Sequence, residues 1–127
     1  MEQRYETCGD WWFEYINISA TEIKLLLQIR VSDMKNPFYE YFVASHELDE
    51  AMLCLSRGIK EKAISNYDKA FEALRLKFPE IIGDQEPGDM IAAPYFEEHQ
   101  FATKLEKYRV KEFGFDWNEY DKTIGEL

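Results

Sequence analysis

A chain of 127 residues with 46% hydrophobic and 16% aromatic residues is long enough to bury one core and too hydrophobic for a disordered protein. Its formal net charge of −10 argues against nucleic acid and anionic membranes as partners, because both repel an acidic protein. The same charge favours a basic protein as the partner. We therefore expect one domain over residues 1–127 that binds neither nucleic acid nor membrane.

The cysteine content and the apolar runs predict the compartment. Cys8 and Cys54 are too few for a disulfide framework and too far apart for a zinc knuckle. No apolar run approaches the length of a membrane span, and the amino terminus lacks the basic and apolar run of a signal peptide. We therefore expect a cytoplasmic protein with two reduced thiols.

Three runs in the first third of the chain are rich in aromatic and β-branched residues, which favour β-strands. The first run is residues 11–18. The second, residues 24–32, alternates between apolar and polar side chains, with Leu26 as the one exception. The third run, residues 38–44, is again aromatic. Together they predict an antiparallel β-meander over about residues 3–44.

The period of the apolar residues changes after Ser45, where a helical pattern begins. Apolar side chains then recur at steps of three and four, which places them on one face of a helix. These residues are Leu48, Ala51, Met52 and Leu55. Ser45 can cap this helix at its amino end.

The clearest helical pattern in the chain lies between Gly58 and Phe78, just before Pro79. Polar residues, including Ser65 and Asp68, fall on the side expected to face solvent. The residues expected on the buried face are Ile59, Ala63, Tyr67, Ala70, Phe71, Leu74 and Phe78.

A further helix is predicted from about Pro94 to Phe113, and a short last helix from Trp117 to Ile124. The longer one should bury Phe101, Ala102, Leu105 and Tyr108. Strands followed by helices indicate an α+β domain, with three or four helices packed on one face of the meander. The alternative is an all-α bundle in which residues 19–34 and 37–57 are helical.

The histidines give only a weak indication of a metal site. His46 precedes Glu50 by four residues, so the two could share a helix face and bind a metal. No third ligand is identifiable, because Glu97-Glu98-His99 lacks the Glu-x-x-His spacing of di-iron bundles. Metal-binding and phosphate-binding motifs are also missing. A solvated His46 is the simpler interpretation, and we predict no metal, no cofactor and no catalytic residue.

Residues 80–100 contain six acids and no lysine or arginine. Acids beside apolar groups can bind a basic protein surface, although a solvated loop is the alternative. The predicted partner-binding residues are Asp84, Glu86, Asp89, Tyr95, Phe96, Glu97 and Glu98. With no catalytic motif, the chain is then expected to be a small inhibitor of the immunity or antitoxin type that neutralises a basic partner such as a nuclease toxin.

The alternative function is a small ligand-binding or enzymatic α+β domain. It would use carboxylates such as Glu14, Glu40 or Glu50 in a pocket between sheet and helices. Glu14 and Glu40 each interrupt an aromatic run, so each is either a solvated group or a buried one with a raised pKa. A homodimer formed through an exposed strand edge is compatible with both functions.

Overall fold

The computed structural model describes residues 7–127 of the chain. Within that range a two-stranded antiparallel hairpin is followed by five α-helices and a short 3-10 turn, which confirms the predicted α+β class. Residues 3–6 of the predicted meander lie outside the described range. No helix in the range is both long and apolar enough to cross a membrane. The elements are β1 Gly9–Ser19, β2 Glu22–Val31, α1 Pro37–Ser56, α2 Glu61–Lys77, α3 Pro79–Ile82, the 3-10 turn Pro87–Asp89, α4 Phe96–Glu112 and α5 Trp117–Gly125.

The hairpin confirms the first two predicted strands, residues 11–18 and 24–32. Because side chains alternate between the faces of a strand, the odd-numbered residues of both strands share one face. This face packs against the helices at the base of the hairpin and extends beyond them towards the tip. Its cross-strand pairs are Trp11 with Ile29, Phe13 with Leu27, and Tyr15 with Leu25.

The third predicted strand is wrong, because residues 38–44 form the first turns of α1. The Asn36 side chain accepts hydrogen bonds from the amides of Phe38 and Tyr39 at 3.0 and 3.3 Å, and Pro37 occupies the first helical position. Helical packing outweighs the β-propensity of this aromatic run. The helix therefore begins at Pro37 instead of Ser45. The all-α alternative was right about residues 37–57, but not about residues 19–34.

Helices α1 and α4 pack side by side in antiparallel directions. Phe42 near the start of α1 contacts the ring of Phe113 just after α4, whereas Arg57 just after α1 binds Glu98 at the start of α4. One apolar cluster lies under the hairpin: Trp11, Ala51, Cys54, Ile64, Ala93 and Tyr95. A second contains Phe42, Val43, Val110 and Tyr120.

Helix α2 is confirmed, but its buried face differs from the predicted one. Ser65 and Asp68, expected to face solvent, are buried, whereas Ala63 and Leu74 are exposed. Asp68 is buried because it accepts a hydrogen bond from the hydroxyl of Tyr95 at 2.5 Å. A hydrogen bond to a buried partner thus keeps an acid on the inner face.

Helix α4 is also confirmed, with a different inner face. Phe101 and Tyr108, which were expected to be buried, are exposed. The buried residues of the helix are Glu98, His99, Ala102 and Val110. The apolar period failed because the inner face of α4 carries ionisable side chains whose partners lie on α1 and in the 3-10 turn.

Candidate metal centre

Three ionisable side chains meet between α1 and α4. His46 and Glu50 are one turn apart on α1, and His99 is on the first turn of α4; all three are buried. Glu50 Oε2 lies 3.1 Å from His46 Nε2 and 2.8 Å from His99 Nδ1. The two ring nitrogens are 3.3 Å apart. Their three donor atoms therefore form a compact, buried triangle.

The triangle has the dimensions of a metal coordination site. Protein ligands of a tetrahedral metal ion stand about 2.0–2.1 Å from it, which places neighbouring ligand atoms roughly 3.3 Å from one another. The distances in the triangle are 2.8, 3.1 and 3.3 Å. Two imidazole nitrogens and one carboxylate oxygen are also a common ligand set for catalytic metals.

The charges of the three side chains depend on one another. Burial opposes the charged form of His46, but hydrogen bonds with Glu106 and Glu50 raise its pKa well above the usual value. Burial also opposes charge on His99, whose pKa is raised by hydrogen bonds with Asp89 and Glu50. Burial would raise the pKa of Glu50, but hydrogen bonds with both histidines lower it to about 2. Glu50 is therefore ionised at neutral pH.

Hydrogen bonds hold this triangle together only at the cost of crowding. With a hydrogen on each ring nitrogen, both N–H groups donate to the ionised Glu50 Oε2 and bring two positive groups within 3.3 Å of one another. A ring nitrogen without hydrogen would turn its lone pair towards that oxygen, at 3.1 Å for His46 or 2.8 Å for His99. A cation between the three atoms contacts three lone pairs and removes the conflict.

The outer nitrogen of each histidine faces a carboxylate. His46 Nδ1 lies 2.7 Å from Glu106 Oε1. His99 Nε2 lies 3.2 Å from both Glu86 Oε2 and Asp89 Oδ1. Metal-binding histidines commonly donate their second N–H to a carboxylate, which fixes the ring orientation and makes the ligand more basic. Both histidines are therefore oriented with Nε2 of His46 and Nδ1 of His99 free to coordinate.

The remaining oxygens of the carboxylates are also occupied. The indole Nε1 of Trp11 donates to Glu50 Oε1 at 3.0 Å, which leaves Oε2 directed at the two histidines. The hydroxyl of Tyr120 donates to Glu106 Oε2 at 2.5 Å. A side chain held at both ends loses little additional freedom when an ion binds.

Gly88 allows the 3-10 turn to lie directly on the ring of His99. A Cβ atom at this position would stand 2.5 Å from Cγ of His99, closer than any real contact. The turn begins after Glu86 and ends at Asp89. The carboxylates of these two residues cap the turn, each binding the backbone of the other residue, and both also contact His99. Glycine is therefore required here for its size.

A small cavity of about 50 Å³ opens onto the donor triangle. Besides the three donors, it is lined by Trp11, Glu47, Ile64, Asp68 and Tyr95, among others. Burial beside Glu50 raises the pKa of Glu47 well above its usual value. The cavity has room for a few water molecules and places acidic groups beside the coordination site.

The structure separates the predicted partner-binding residues. Tyr95 and Glu98 are buried inside the fold, so they do not belong to the surface loop in which they were predicted. Their polar atoms bind Asp68 and Arg57, each at 2.5 Å. Phe96 is partly buried in the cluster beneath the hairpin.

The other four predicted residues, Asp84, Glu86, Asp89 and Glu97, are exposed. Three of them line a separate cavity of about 240 Å³, together with Glu106 and Asp121; these three are Asp84, Glu86 and Asp89. Of the carboxylates considered for an enzymatic pocket, Glu50 lies in the candidate metal centre. Glu14 accepts a hydrogen bond from the indole of Trp12, and Glu40 accepts one from the amide of Met34.

Sequence reasoning paired His46 with Glu50 correctly but wrongly expected His46 to be solvated. It missed His99 as the third donor and Glu106 and Trp11 as supporting residues. The sequence pattern that could have identified them is on α4, where His99, Ala102, Glu106 and Val110 recur at steps of three and four and so share one helix face. His46 and Glu50 share a face of α1 in the same way. Two helices with histidine and glutamate on inner faces can form one site.

No protein-family model matches the chain, and no curated protein or solved structure gives a significant match. The candidate metal centre therefore rests on its own geometry. That geometry consists of three buried donor atoms, a carboxylate within 3.2 Å of the outer nitrogen of each histidine, the indole of Trp11 behind Glu50, and a cavity in front of them.

Proposed function

We propose that this protein binds one divalent transition-metal ion through Nε2 of His46, Oε2 of Glu50 and Nδ1 of His99. The observation that carries the proposal is the buried triangle with sides of 2.8, 3.1 and 3.3 Å. Two imidazoles favour zinc, iron, cobalt, nickel or copper over magnesium and calcium, which prefer oxygen ligands only.

Three protein ligands leave one coordination position for water or substrate, which is typical of catalytic metal sites. The cavity that opens onto the three donors, lined also by Glu47 and Asp68, would hold that water or substrate. A bound metal lowers the pKa of its water to about 7 and supplies a nucleophile at neutral pH. We therefore infer a metal-dependent hydrolytic enzyme. This proposal corresponds to the alternative function given by the sequence, a small enzymatic domain, with Glu50 as a metal ligand.

The experiment is titration of chelator-treated protein with Zn²⁺ and Co²⁺ by calorimetry and visible absorption. We expect one ion per chain, and Co²⁺ absorption of the intensity given by four-coordinate sites. His99→Ala and Glu50→Gln should each weaken binding at least about 100-fold, because each removes one of three ligands. Glu97→Gln is the control, since Glu97 is an exposed acid on the same helix as His99.

Two results would contradict the proposal. One is folded wild-type protein that takes up no ion at micromolar concentration; the other is equal affinity in His99→Ala and wild type. Circular dichroism of each variant separates loss of a ligand from loss of the fold. Hydrolysis is then assayed with activated carboxylic and phosphoric esters, comparing metal-loaded wild type with chelated protein.

The second candidate function is binding of a basic protein, as expected from the acidic block. It is supported by the cavity of about 240 Å³, whose lining within residues 7–127 includes Asp84, Glu86, Asp89, Glu106 and Asp121 but no lysine or arginine. Such a cavity suits a basic side chain of a partner such as a nuclease toxin. The free thiols of Cys8 and Cys54 support a cytoplasmic location for the complex with the basic partner.

This candidate is tested by capturing basic proteins at low salt and measuring their association rates. Charge reversal at Asp84 and Asp121 should slow association of a genuine inhibitor target about tenfold or more, because steering depends on the acidic surface. Unchanged association rates would remove the acidic cavity from the interface. Because neither residue is a donor of the metal triangle, the test is independent of the metal proposal.

A further inference from the structure

The outer half of the hairpin extends beyond the helices with apolar side chains exposed. Tyr15 is 77%, Ile23 65% and Leu25 45% exposed. These residues continue the face whose inner part, around Trp11 and Phe13, packs in the core. A two-stranded hairpin is marginally stable alone in water, so an overhang of this composition indicates a further layer or strand.

Within residues 7–127, no hydrogen bond is made to the outer edge of β2 at Leu25 or Leu27. The amide of Phe13 donates to Glu61 Oε2 at 2.9 Å, which shows that Phe13 directs its backbone polar groups away from β2 and that the first residue of α2 binds this point on the edge of β1. In an antiparallel pair, residues opposite one another have the same orientation. Leu27, opposite Phe13, and Leu25, opposite Tyr15, therefore direct their N–H and C=O groups outward from β2.

The charge of the hairpin fits a second copy of the same chain. Residues 11–31, the hairpin beyond the buried Asp10 at its base, contain two acids and two bases and so have no net charge in a chain of −10. This part of the hairpin therefore lets two strongly acidic molecules approach without charge repulsion between the contact surfaces. The acids are Glu14 and Glu22, and the bases are Lys24 and Arg30.

Antiparallel pairing of β2 with its copy about Leu25 gives compatible neighbours. Ile23 then faces Leu27 of the copy, Lys24 faces Leu26, and no like charges stand opposite one another. Two-fold symmetry makes the contact self-complementary and closed. The outward backbone groups of Leu25 pair with those of its copy, which removes the exposed edge.

The pairing also determines where the helices of the two copies lie. A two-fold axis perpendicular to the sheet keeps both bodies on the same face, so the overhang of each hairpin lies towards the body of the other. The exposed apolar side chains of the overhang on this face, at on the order of 100 Å² apiece, supply roughly 300 Å² of the ~800 Å² per partner of a stable interface, and the paired β2 strands add to this area. These side chains are Tyr15, Ile23 and Leu25.

We propose that two copies of this chain form a homodimer through their β2 edges, with a continuous four-stranded antiparallel sheet centred on Leu25. In each copy, the β2 edge and the apolar overhang are covered by the other copy of the chain. The dimer does not depend on the metal centre, whose donors lie on α1 and α4.

The first test is light scattering of the full chain after size-exclusion chromatography. We expect wild type to have twice the chain mass at micromolar concentration. Leu25→Lys should raise the dimer dissociation constant at least about 100-fold, because it places two lysines face to face at the axis. Ile91→Lys is the matched control and should remain dimeric, since Ile91 is 85% exposed in the loop before α4. A monomeric wild type, or a Leu25→Lys dimer as stable as wild type, overturns the proposal.

The second test does not depend on destabilising the hairpin. Leu25→Cys in a Cys8→Ser background should oxidise to a disulfide-linked dimer, because directly opposed residues have Cα atoms about 5.5 Å apart. Ile16→Cys is the control: Ile16 lies on β1, and its copy would be three strand spacings away. A slow or absent cross-link at position 25, or equal cross-linking at position 16, contradicts the pairing.

Discussion

Glu106 on α4 contacts Nδ1 of His46 on α1 at 2.7 Å through one carboxylate oxygen and receives the hydroxyl of Tyr120 on the other at 2.5 Å. This contact determines which nitrogen of His46 faces the cavity. It also connects the candidate metal centre to the second apolar cluster, in which Tyr120 is completely buried. The carboxylate therefore has a positioning role that can be separated from coordination.

Glu106→Gln should weaken metal binding about 10- to 100-fold, the usual effect of losing a carboxylate behind a metal-bound histidine. The amide keeps the size of the side chain but is a weaker acceptor for the imidazole N–H. Calorimetric titration with Zn²⁺ measures the effect, and Glu112→Gln, at an exposed position on the same helix, is the control. Wild-type affinity in Glu106→Gln would mean that His46 needs no such partner to bind metal.

Metal affinity should increase as the pH rises. The pKa values of His46 and His99 are raised in the metal-free fold, so both histidines are protonated at pH 6 to 7 and each must lose a proton when metal binds. We expect affinity to rise by up to about 100-fold per pH unit, with release of about two protons per ion. Titration in two buffers of different ionisation enthalpy measures this number. Release of no proton would contradict the protonated state of both histidines in the metal-free protein.

The same raised pKa values affect the stability of the metal-free fold. A group whose pKa is higher in the folded than in the unfolded state stabilises the fold fully below its unfolded pKa, about 6.5 for histidine. That contribution is lost as the pH rises through the folded value. Chelated protein should therefore lose the contribution of His46 and His99 at alkaline pH, and excess Zn²⁺ should restore stability there. Urea unfolding at pH 6 and 9, with and without metal, measures both effects.

The sequence allows prediction of those parts of the fold that depend on local pattern. Alternation over residues 24–32 and helical steps between Gly58 and Phe78 identify β2 and α2, because each has a period of its own. Residues 38–44 were misassigned because tertiary packing outweighs β-propensity at this site. Burial of His99 beside Glu50 depends on contacts between residues 49 positions apart, which no local period encodes.

The close contact between Gly88 and His99 predicts a sensitive position. Gly88→Ala would place a Cβ atom 2.5 Å from Cγ of the histidine, so the 3-10 turn or the ring must move. We expect a loss of about 1–3 kcal/mol in the free energy of unfolding, the usual cost of overpacking, together with weaker metal binding. Chemical denaturation and Zn²⁺ titration measure the two effects.

Gly125→Ala is the control for Gly88→Ala. Its added Cβ would meet the flexible end of Asp84 at 3.3 Å, which a small side-chain movement relieves. The control should change stability by less than about 0.5 kcal/mol, as surface substitutions generally do. Equal effects of the two alanines would show that the turn does not rest tightly on His99.

The hydrogen bond between Tyr95 and Asp68 is predicted to stabilise the fold without providing a metal ligand. Both residues are buried, and the hydroxyl donates to Oδ1 of Asp68 at 2.5 Å. Tyr95→Phe removes this donor from a buried carboxylate and should cost about 1–3 kcal/mol in the free energy of unfolding. Zn²⁺ affinity should change by less than about threefold, because neither residue contributes a donor atom to the metal triangle.

Tyr108→Phe is the matched control, because Tyr108 on α4 is largely exposed and loses only a solvated hydroxyl. Urea unfolding compares the two variants, and a Zn²⁺ titration accompanies each. Equal stabilities would show that Asp68 is satisfied without Tyr95. A tenfold loss of Zn²⁺ affinity in Tyr95→Phe alone would instead place Tyr95 among the residues that support the metal. A structural bond and a supporting residue therefore give opposite patterns in the two measurements.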